Sequence, residues 1–131
     1  MLFRSHAFLR QVTNEKPTTT FALATPTEAI GCIGLQVGCD VHRKTAELGY
    51  WLGEAFWGRG IMSEAVTELT RWAFSRFDLE RIYAEPFANN PVSTSVLERA
   101  GFVCEGRLRS RAFKDTKLLD SFLYAKLRNA A

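Results

Sequence analysis

The sequence is poor in the residues from which metal and redox sites are usually built. It contains two histidines, His6 and His42, too few for a histidine-rich site, and we expect no bound metal. Its three cysteines, Cys32, Cys39 and Cys104, are odd in number and lack the C-x-x-C spacing of zinc and redox motifs. Their apolar surroundings predict buried free thiols in a reducing compartment.

Signals for membranes and nucleic acids are also missing. No apolar run approaches the length of a membrane span, and the N-terminus lacks the apolar core and cleavage site of a secretory signal. The net charge of +3 is only mildly basic. We therefore expect a cytoplasmic protein with no membrane or specific nucleic-acid partner. The 131 residues, 47% hydrophobic and 24% charged, predict one globular domain over residues 1–131.

The central stretch of the chain combines a strand, a glycine turn and a helix. Residues 48–52 form an apolar run typical of a strand, and Gly58-Arg59-Gly60 then opens into residues 61–77, which have helical periodicity. The apolar members of that helix are Ile61, Ala65, Leu69, Trp72, Ala73 and Phe77. Its polar side is predicted to carry Ser63, Glu64, Thr67, Glu68, Thr70 and Arg71.

The glycine turn predicts an anion site. The first N–H groups of a helix have no intrahelical partners, and with the helix dipole they suit a phosphate. Gly58 and Gly60 can adopt positive φ and let an anion approach, and Arg59 adds a cation. The alternative is an ordinary strand-to-helix turn. A P-loop is excluded because residues 60–63 contain no lysine, and a dinucleotide fingerprint because Ser63 replaces its third glycine.

The segment before the central stretch predicts an antiparallel meander. Residues 1–14 have the amphipathic spacing of a short helix. Residues 18–24 and 29–37 are typical strands, separated by turn residues from each other and from the strand at 48–52. Short links between successive strands favour antiparallel pairing.

The segment after the central helix completes a mixed α/β fold. Residues 81–87 predict a strand, and a strand–helix–strand order implies parallel pairing. Asn90 is placed to cap a helix that begins at Pro91 and ends at Gly101. The apolar side of this helix is predicted to be Val92, Val96, Leu97 and Ala100. Residues 102–113 and 118–127 predict a closing pair of strands.

Two separate blocks of this chain resemble the GNAT superfamily of acetyl-CoA-dependent N-acetyltransferases. The first block, residues 57–62, reads WGRGIM and is similar to the family's Gln/Arg-x-x-Gly-x-Gly/Ala pattern. Gly60 matches this pattern, whereas Trp57 and Met62 depart from it. The second block, residues 90–102, resembles the family's N-x-x-S followed by a helix ending in Gly-Phe.

The likeness is strongest to the RimJ/RimL-like branch of ribosomal-protein N-terminal acetyltransferases, because Gly49-Tyr50-Trp51-Leu52 and Leu119-Asp120 add to the two blocks. The resemblance implies a GNAT-like central mixed sheet with acetyl-CoA bound where the strand turns into the central helix. In that arrangement the turn holds the pyrophosphate, and backbone groups of the strand pair with the pantetheine amides. The residues implied to bind the co-substrate are Trp51, Leu52, Trp57, Gly58, Arg59, Gly60, Ile61, Met62, Ser63 and Asn90.

The resemblance also implies direct transfer of acetyl to an amine. Glu47 and Glu85 each resemble a glutamate base of some family members, and a carboxylate in partly apolar surroundings is suited to accept a proton. The tyrosine acid that other members place seven residues after the asparagine is replaced by Leu97. Ser93 is therefore the expected hydrogen-bond donor to the leaving thiolate, whereas Tyr124 is expected in the core.

The predicted function is an N-acetyltransferase acting on a protein N-terminus or a small amine. The alternative is an inactive or weakly active acyl-CoA-binding or interaction domain, since this branch usually begins with a strand and helix for which the chain has no room. Uncovered edges and apolar surface then predict a homodimer. Arg107, Arg109 and Arg111 are expected to meet solvent or the cofactor's phosphates rather than nucleic acid.

Overall fold

A computed structural model describes residues 8–11 and 19–129 of the chain. The strands are β1 (Phe8–Gln11), β2 (Thr20–Ala24), β3 (Ala29–Val37), β4 (Thr45–Leu52), β5 (Arg81–Ala84), β6 (Val103–Lys114) and β7 (Lys117–Leu127). The helices are α1 (Ile61–Arg76) and α2 (Pro91–Arg99), with short 3₁₀ turns at Asp40–His42 and Glu54–Phe56.

The described strands form one mixed sheet in the order β1-β2-β3-β4-β5-β7-β6. Strands β1 to β4 are antiparallel neighbours, which confirms the predicted meander. Strand β5 pairs parallel to β4, as the intervening helix requires. Strands β6 and β7 close the sheet as an antiparallel pair, with β7 beside β5. The mixed α/β class predicted from the sequence is therefore confirmed.

Helix α1 buries its predicted apolar stripe against the sheet. Its buried side chains are Ile61, Met62, Ala65, Val66, Leu69, Thr70 and Ala73. Trp72 packs edge-on against Phe21 and Phe77, as expected of a core residue. The placement of Thr70 on the polar side was wrong, because this side chain is fully buried. Its hydroxyl donates to the carbonyl of Thr67 at 3.0 Å, so burial leaves no unpaired polar group there.

Helix α2 begins and ends where the sequence predicts. The Asn90 side chain accepts a hydrogen bond from the Ser93 N–H at 3.2 Å, and Pro91 occupies the first turn. Gly101, with φ of 89°, follows the last turn in the left-handed region that glycine favours. Leu97 and Ala100 are buried, but Val92 is 47% exposed and lies at the helix start rather than in the core.

Both helices pack on the same face of the sheet. On β4, burial alternates so that Ala46 and Leu48 lie in the core with the helices, whereas Glu47 points to the opposite face. Tyr50 and Leu52 continue the helix-covered face, and Trp51 continues the other. None of the helices in the described part of the chain packs on the face of Glu47 and Trp51.

The C-terminal strand is tied to the end of α1 by one guanidinium. Arg128 donates to three carbonyl oxygens in or just after α1, those of Phe74 at 2.6 Å, Leu79 at 2.7 Å and Phe77 at 2.8 Å. The planar guanidinium can serve several acceptors at once, and cations are favoured at a helix C-terminus. This residue therefore links β7 to the helix that precedes β5.

Three further predictions about the fold were wrong. Residues 8–11 form a strand rather than part of a helix, because they pair with β2 and bury Leu9; residues 1–7 and 12–14 lie outside the described residues. The strand predicted at 81–87 ends at Ala84. The cysteines are free but exposed, Cys32 because it occupies the uncovered face of β3.

Candidate active site

The turn before α1 leaves an open cradle of backbone at the N-terminus of that helix. Gly58 and Gly60 have φ of 76° and 73°, values that side chains disfavour, which confirms their predicted conformation. A Cβ built on either glycine meets no described atom within 4 Å. Glycine is therefore required here for backbone conformation and open space rather than for close packing.

A single cleft brings the two sequence blocks together. It has a volume of about 660 Å³ and lies between the end of β4, the turn into α1 and the outer side of α2. The predicted site residues that line it are Trp51, Leu52, Trp57, Gly58, Gly60, Ile61, Met62, Ser63, Asn90 and Ser93. The two blocks are distant in sequence, and the fold places them on facing walls of the same cavity.

The cleft lies where β4 and β5 separate. Their parallel pairing ends at Glu47 and Tyr83, although β4 continues to Leu52 beside β3. The chain after β5 follows β7 instead, because the Phe122 N–H donates to the carbonyl of Pro86 at 2.9 Å. The far end of β4 is thus left without a strand partner on its β5 side among the described residues. Such an unpaired edge offers backbone groups to an extended ligand.

Three of the predicted site residues lie outside the cleft lining. The Arg59 guanidinium stacks over the Phe56 ring at 5.4 Å instead of pointing into the cavity. Glu47 and Glu85 lie on the sheet face opposite the helices, Glu47 at the last β4–β5 pair and Glu85 directly after the end of β5. The cleft and the two glutamates are therefore on different sides of the same opening between β4 and β5.

The two glutamates differ in their partners. Glu85 accepts a hydrogen bond from the Arg111 guanidinium at 2.8 Å, and 18% of its side chain is exposed. The Glu47 side chain forms no hydrogen bond or ion pair with any residue the structure describes, although its charge acts on Tyr83 and Arg111. Burial raises the pKa of the neighbouring Tyr83 hydroxyl, and the negative charges of Glu47 and Glu85 add to that effect. A cluster of carboxylates, a tyrosine and a guanidinium therefore marks this face.

Two hydrogen bonds link the walls of the cleft. The Trp57 indole N–H donates to the carbonyl of Leu52 at 2.8 Å, so this carbonyl, expected to meet pantetheine, already has a partner. The Tyr50 and Ser93 hydroxyl oxygens are 2.6 Å apart, which joins β4 to the first turn of α2. Burial raises the pKa of the Tyr50 hydroxyl, and its hydrogen bond to Ser93 partly offsets that rise.

Sequence reasoning missed three polar residues of the cleft, Tyr50, Ser95 and Arg99. Tyr50 was considered only as part of a block, although its alternation with Leu48 and Leu52 already placed it on the core side of the strand. Ser95 and Arg99 lie four residues apart and so share one side of α2, but neither was singled out from the sequence. Arg99 places a cation in the cleft lining, which Arg59 does not reach.

Two of the three arginines of β6 form ion pairs, and all three, Arg109 included, are exposed to solvent, which was one of the two expectations. Arg107 pairs with Asp120 at 2.8 Å, and Arg111 holds Glu85. A backbone irregularity between Leu108 and Ala112, with Ser110 at positive φ, interrupts the predicted alternation. Neither Arg107 nor Arg111 lines the cleft, so a phosphate contact from them is not part of the described geometry.

Metal and membrane features are not found in the parts of the chain that can be described. Residues 8–11 and 19–129 contain no group of three or more histidine, cysteine or acidic side chains placed to hold a metal ion. Within the same residues no helix is long and apolar enough to cross a membrane.

The mixed sheet, the separated central strands and the strand–turn–helix cleft define the acetyltransferase class of fold. The chain belongs to the GNAT family: the model of the acetyltransferase (GNAT) domain matches residues 2–103. This confirms the family resemblance of the two blocks.

Curated relatives and solved structures agree with this membership. The chain is 36% identical over 100 residues to the ribosomal-protein-serine acetyltransferase of Escherichia coli, covering 76% of this chain and 55% of that protein. It is 35% identical to an uncharacterized N-acetyltransferase, p20, of Bacillus licheniformis, covering 77% and 56%. The chain thus spans about half the length of the curated relatives it matches.

The structural neighbours include a ribosomal-protein-S5-alanine acetyltransferase from Vibrio fischeri, with a TM-score of 0.79 at 27% identity, covering 84% of this chain and 61% of that one. RimL, the ribosomal L7/L12 alpha-N-protein acetyltransferase in complex with coenzyme A, has a TM-score of 0.76 at 27% identity, covering 82% and 60%. These likenesses confirm the GNAT fold and the RimJ/RimL-like branch predicted from the sequence.

Proposed function

We propose that this chain is an acetyl-CoA-dependent N-acetyltransferase that transfers acetyl directly to a primary amine. The observation that supports it most is the single cleft in which the Gly58–Ser63 turn faces the Asn90–Ser93 start of α2. We further propose that the 131 residues act as one domain.

The residues of the cleft fit acetyl-CoA as co-substrate. The N–H groups at the start of α1 and the two positive-φ glycines suit the pyrophosphate. The Arg99 side chain adds positive charge on the facing wall. The unpaired edge of β4 and the amide of Asn90 suit the pantetheine arm, although Asn90 also caps α2. The crystal structures of RimL and of the microcin C7 self-immunity acetyltransferase MccE contain coenzyme A and acetyl-CoA, respectively.

The acceptor reaches the reaction from the uncovered face of the sheet, where the carboxylates lie. Between the two candidate bases we propose Glu47, the last residue of β4 that pairs with β5. Glu85 already holds a guanidinium, so an incoming ammonium would have to displace Arg111 to reach it. Glu47 would accept the proton of the attacking amine, and Ser93 would donate a hydrogen bond to the leaving sulfur.

The acceptor class is a protein N-terminus or a small amine. Relatives are named for acetylating a ribosomal protein at serine, ribosomal protein S5 at alanine, and spermidine. Cytoplasmic location stays a prediction. So does a homodimer, which is supported by exposed Trp51 and Leu127 on the uncovered face and would be contradicted by a monomer mass in solution.

Calorimetric titration of the chain with acetyl-CoA tests this proposal first. Binding should be followed by a screen of acceptors comprising peptides with N-terminal serine or alanine and polyamines, with release of free coenzyme A thiol as the measurement. Binding together with turnover on any acceptor supports the enzyme. Binding without turnover favours the alternative of an inactive acyl-CoA-binding domain. Absence of binding contradicts the enzyme and favours an interaction domain.

A further inference from the structure

The hydroxyl groups of Tyr50 and Ser93 form a close pair in the lining of the cleft. Their oxygens are 2.6 Å apart, and the Tyr50 hydroxyl also lies 3.1 Å from the backbone carbonyl oxygen of Ser93. Tyr50 comes from β4 and Ser93 from the first turn of α2, so the contact spans 43 positions of sequence. Both residues line the cleft.

The chemistry of these groups allows two arrangements. A carbonyl oxygen can only accept, so when Tyr50 donates to it, the short contact requires Ser93 to donate its own proton to Tyr50. When Tyr50 instead donates to the Ser93 hydroxyl, the Ser93 proton is free to point into the cleft. The carbonyl keeps its regular helical partner in both cases, because Ser93 lies in the first turn of α2. A hydroxyl that accepts one hydrogen bond becomes a better donor in the next.

We propose that Tyr50 is a positioning residue for the reaction: it donates a hydrogen bond to the Ser93 hydroxyl and so directs and strengthens the donation of Ser93 to the leaving sulfur. This inference rests on the proposed function. It also supplies, from β4, a tyrosine that the helix position of Leu97 does not provide.

The bonds and protons balance without any transfer from Tyr50. The amine nitrogen forms the new bond to the carbonyl carbon, the carbon–sulfur bond breaks, and its electron pair stays on sulfur. The amine proton passes to Glu47. Ser93 donates a hydrogen bond to the sulfur anion and Tyr50 donates one to Ser93, and both residues keep their protons. For Tyr50 this agrees with its burial, which raises the pKa of its hydroxyl.

The competing explanation is that the pair only clamps α2 onto the sheet. A matched control separates the two, because Tyr124 also ties α2 to a strand: its hydroxyl donates to Glu98 at 2.7 Å, away from the cleft lining. Tyr50→Phe and Tyr124→Phe each remove one hydroxyl that holds α2. Only Tyr50→Phe should weaken the hydrogen bond that stabilises the leaving sulfur.

A binding measurement gives a readout independent of turnover. Coenzyme A and desulfo-coenzyme A differ in the thiol, and a thiol of ordinary pKa ionises between about pH 8 and 9.5. Over that range the wild type should come to prefer coenzyme A over desulfo-coenzyme A, as measured by calorimetry. We expect this preference to fall about three- to tenfold in Tyr50→Phe and in Ser93→Ala, and to persist in Tyr124→Phe.

Turnover gives the second readout. Tyr50→Phe should lower kcat about three- to tenfold with little change in KM for acetyl-CoA, and Tyr50→Phe/Ser93→Ala should be no slower than Ser93→Ala alone. The inference would be overturned, with the proposed function intact, by either of two results. One is a Tyr50→Phe variant that keeps the wild-type kcat and the wild-type preference for coenzyme A over desulfo-coenzyme A. The other is a double variant in which the two losses of kcat multiply. A wild type that binds neither ligand would instead overturn the proposed function and this inference with it.

Discussion

The glycine at the N-terminus of α1 offers the sharpest test of the phosphate cradle. Gly60 has φ of 73°, and a Cβ added there points into open space of the cleft. Two substitutions separate conformation from space. Alanine disfavours positive φ, whereas asparagine tolerates it, yet both add atoms where an anion would approach the backbone.

The magnitudes follow from these two effects. Placing alanine in the left-handed region costs about 1–2 kcal/mol, which corresponds to a fall in Tm of roughly 3–10 °C for a domain of this size. No steric cost is added in the free protein, because the new Cβ meets no described atom within 4 Å. Loss of hydrogen bonds to a charged phosphate costs about 1.5–3 kcal/mol, or about ten- to a hundredfold in Kd.

The assay combines thermal unfolding with calorimetric titration of coenzyme A. Gly60→Ala should lose both stability and affinity, whereas Gly60→Asn should keep most of its stability and still bind about ten- to a hundredfold more weakly. Gly49→Ala is the matched control, since this glycine also has open space around its Cβ but no positive φ. It should change neither measurement by much.

Either of two results would refute the reasoning about the cradle. If Gly60→Asn binds coenzyme A as tightly as the wild type, the open space at this glycine is not used by the ligand. If Gly60→Ala is as stable as the wild type, the left-handed conformation carries no cost at this position.

Three further predictions concern the base, the pH dependence and the C-terminal strand. Glu47→Gln should lower kcat about a hundredfold or more with coenzyme A binding unchanged, and a larger effect of Glu85→Gln would reassign the base. The pKa of Tyr124 is raised to about 12, mainly by burial and also by Glu98, so its stabilising contribution is complete below pH 10 and is lost as the pH rises toward 12. The stability gap between wild type and Tyr124→Phe should therefore narrow from pH 10 to 12 in urea unfolding, and a constant gap would contradict this. Arg128→Met should lower the free energy of unfolding by roughly 2–4 kcal/mol, and rescue by Arg128→Lys would show that the three-carbonyl contact is unimportant.

Several features of this protein could be predicted from the sequence, because they depend on residues close together in the chain. Asn90 followed by Pro91 specifies the start of α2, because a side-chain acceptor and a missing N–H both act within one turn. Gly58 and Gly60 likewise specify a positive-φ turn, because a residue without a Cβ adopts that conformation without steric cost. The parallel pairing of β4 and β5 followed from the helix between them.

Contacts between distant segments were decided only by the tertiary structure. Residues 8–11 have helical spacing, yet they form a strand because the edge of β2 offers backbone partners. The ion pair of Glu85 with Arg111 distinguishes the two glutamates. It depends on the register in which β6 pairs with β7.

The Tyr50–Ser93 pair also separates what the sequence determines locally from what the tertiary structure decides. Its two hydroxyls lie 43 positions apart in sequence, and each belongs to a locally ordinary strand or helix. Their approach to 2.6 Å depends on how α2 packs against β4. Periodicity and capping determine where each element begins and which face it buries, but the atoms that meet across the cleft are set by packing over the whole sheet.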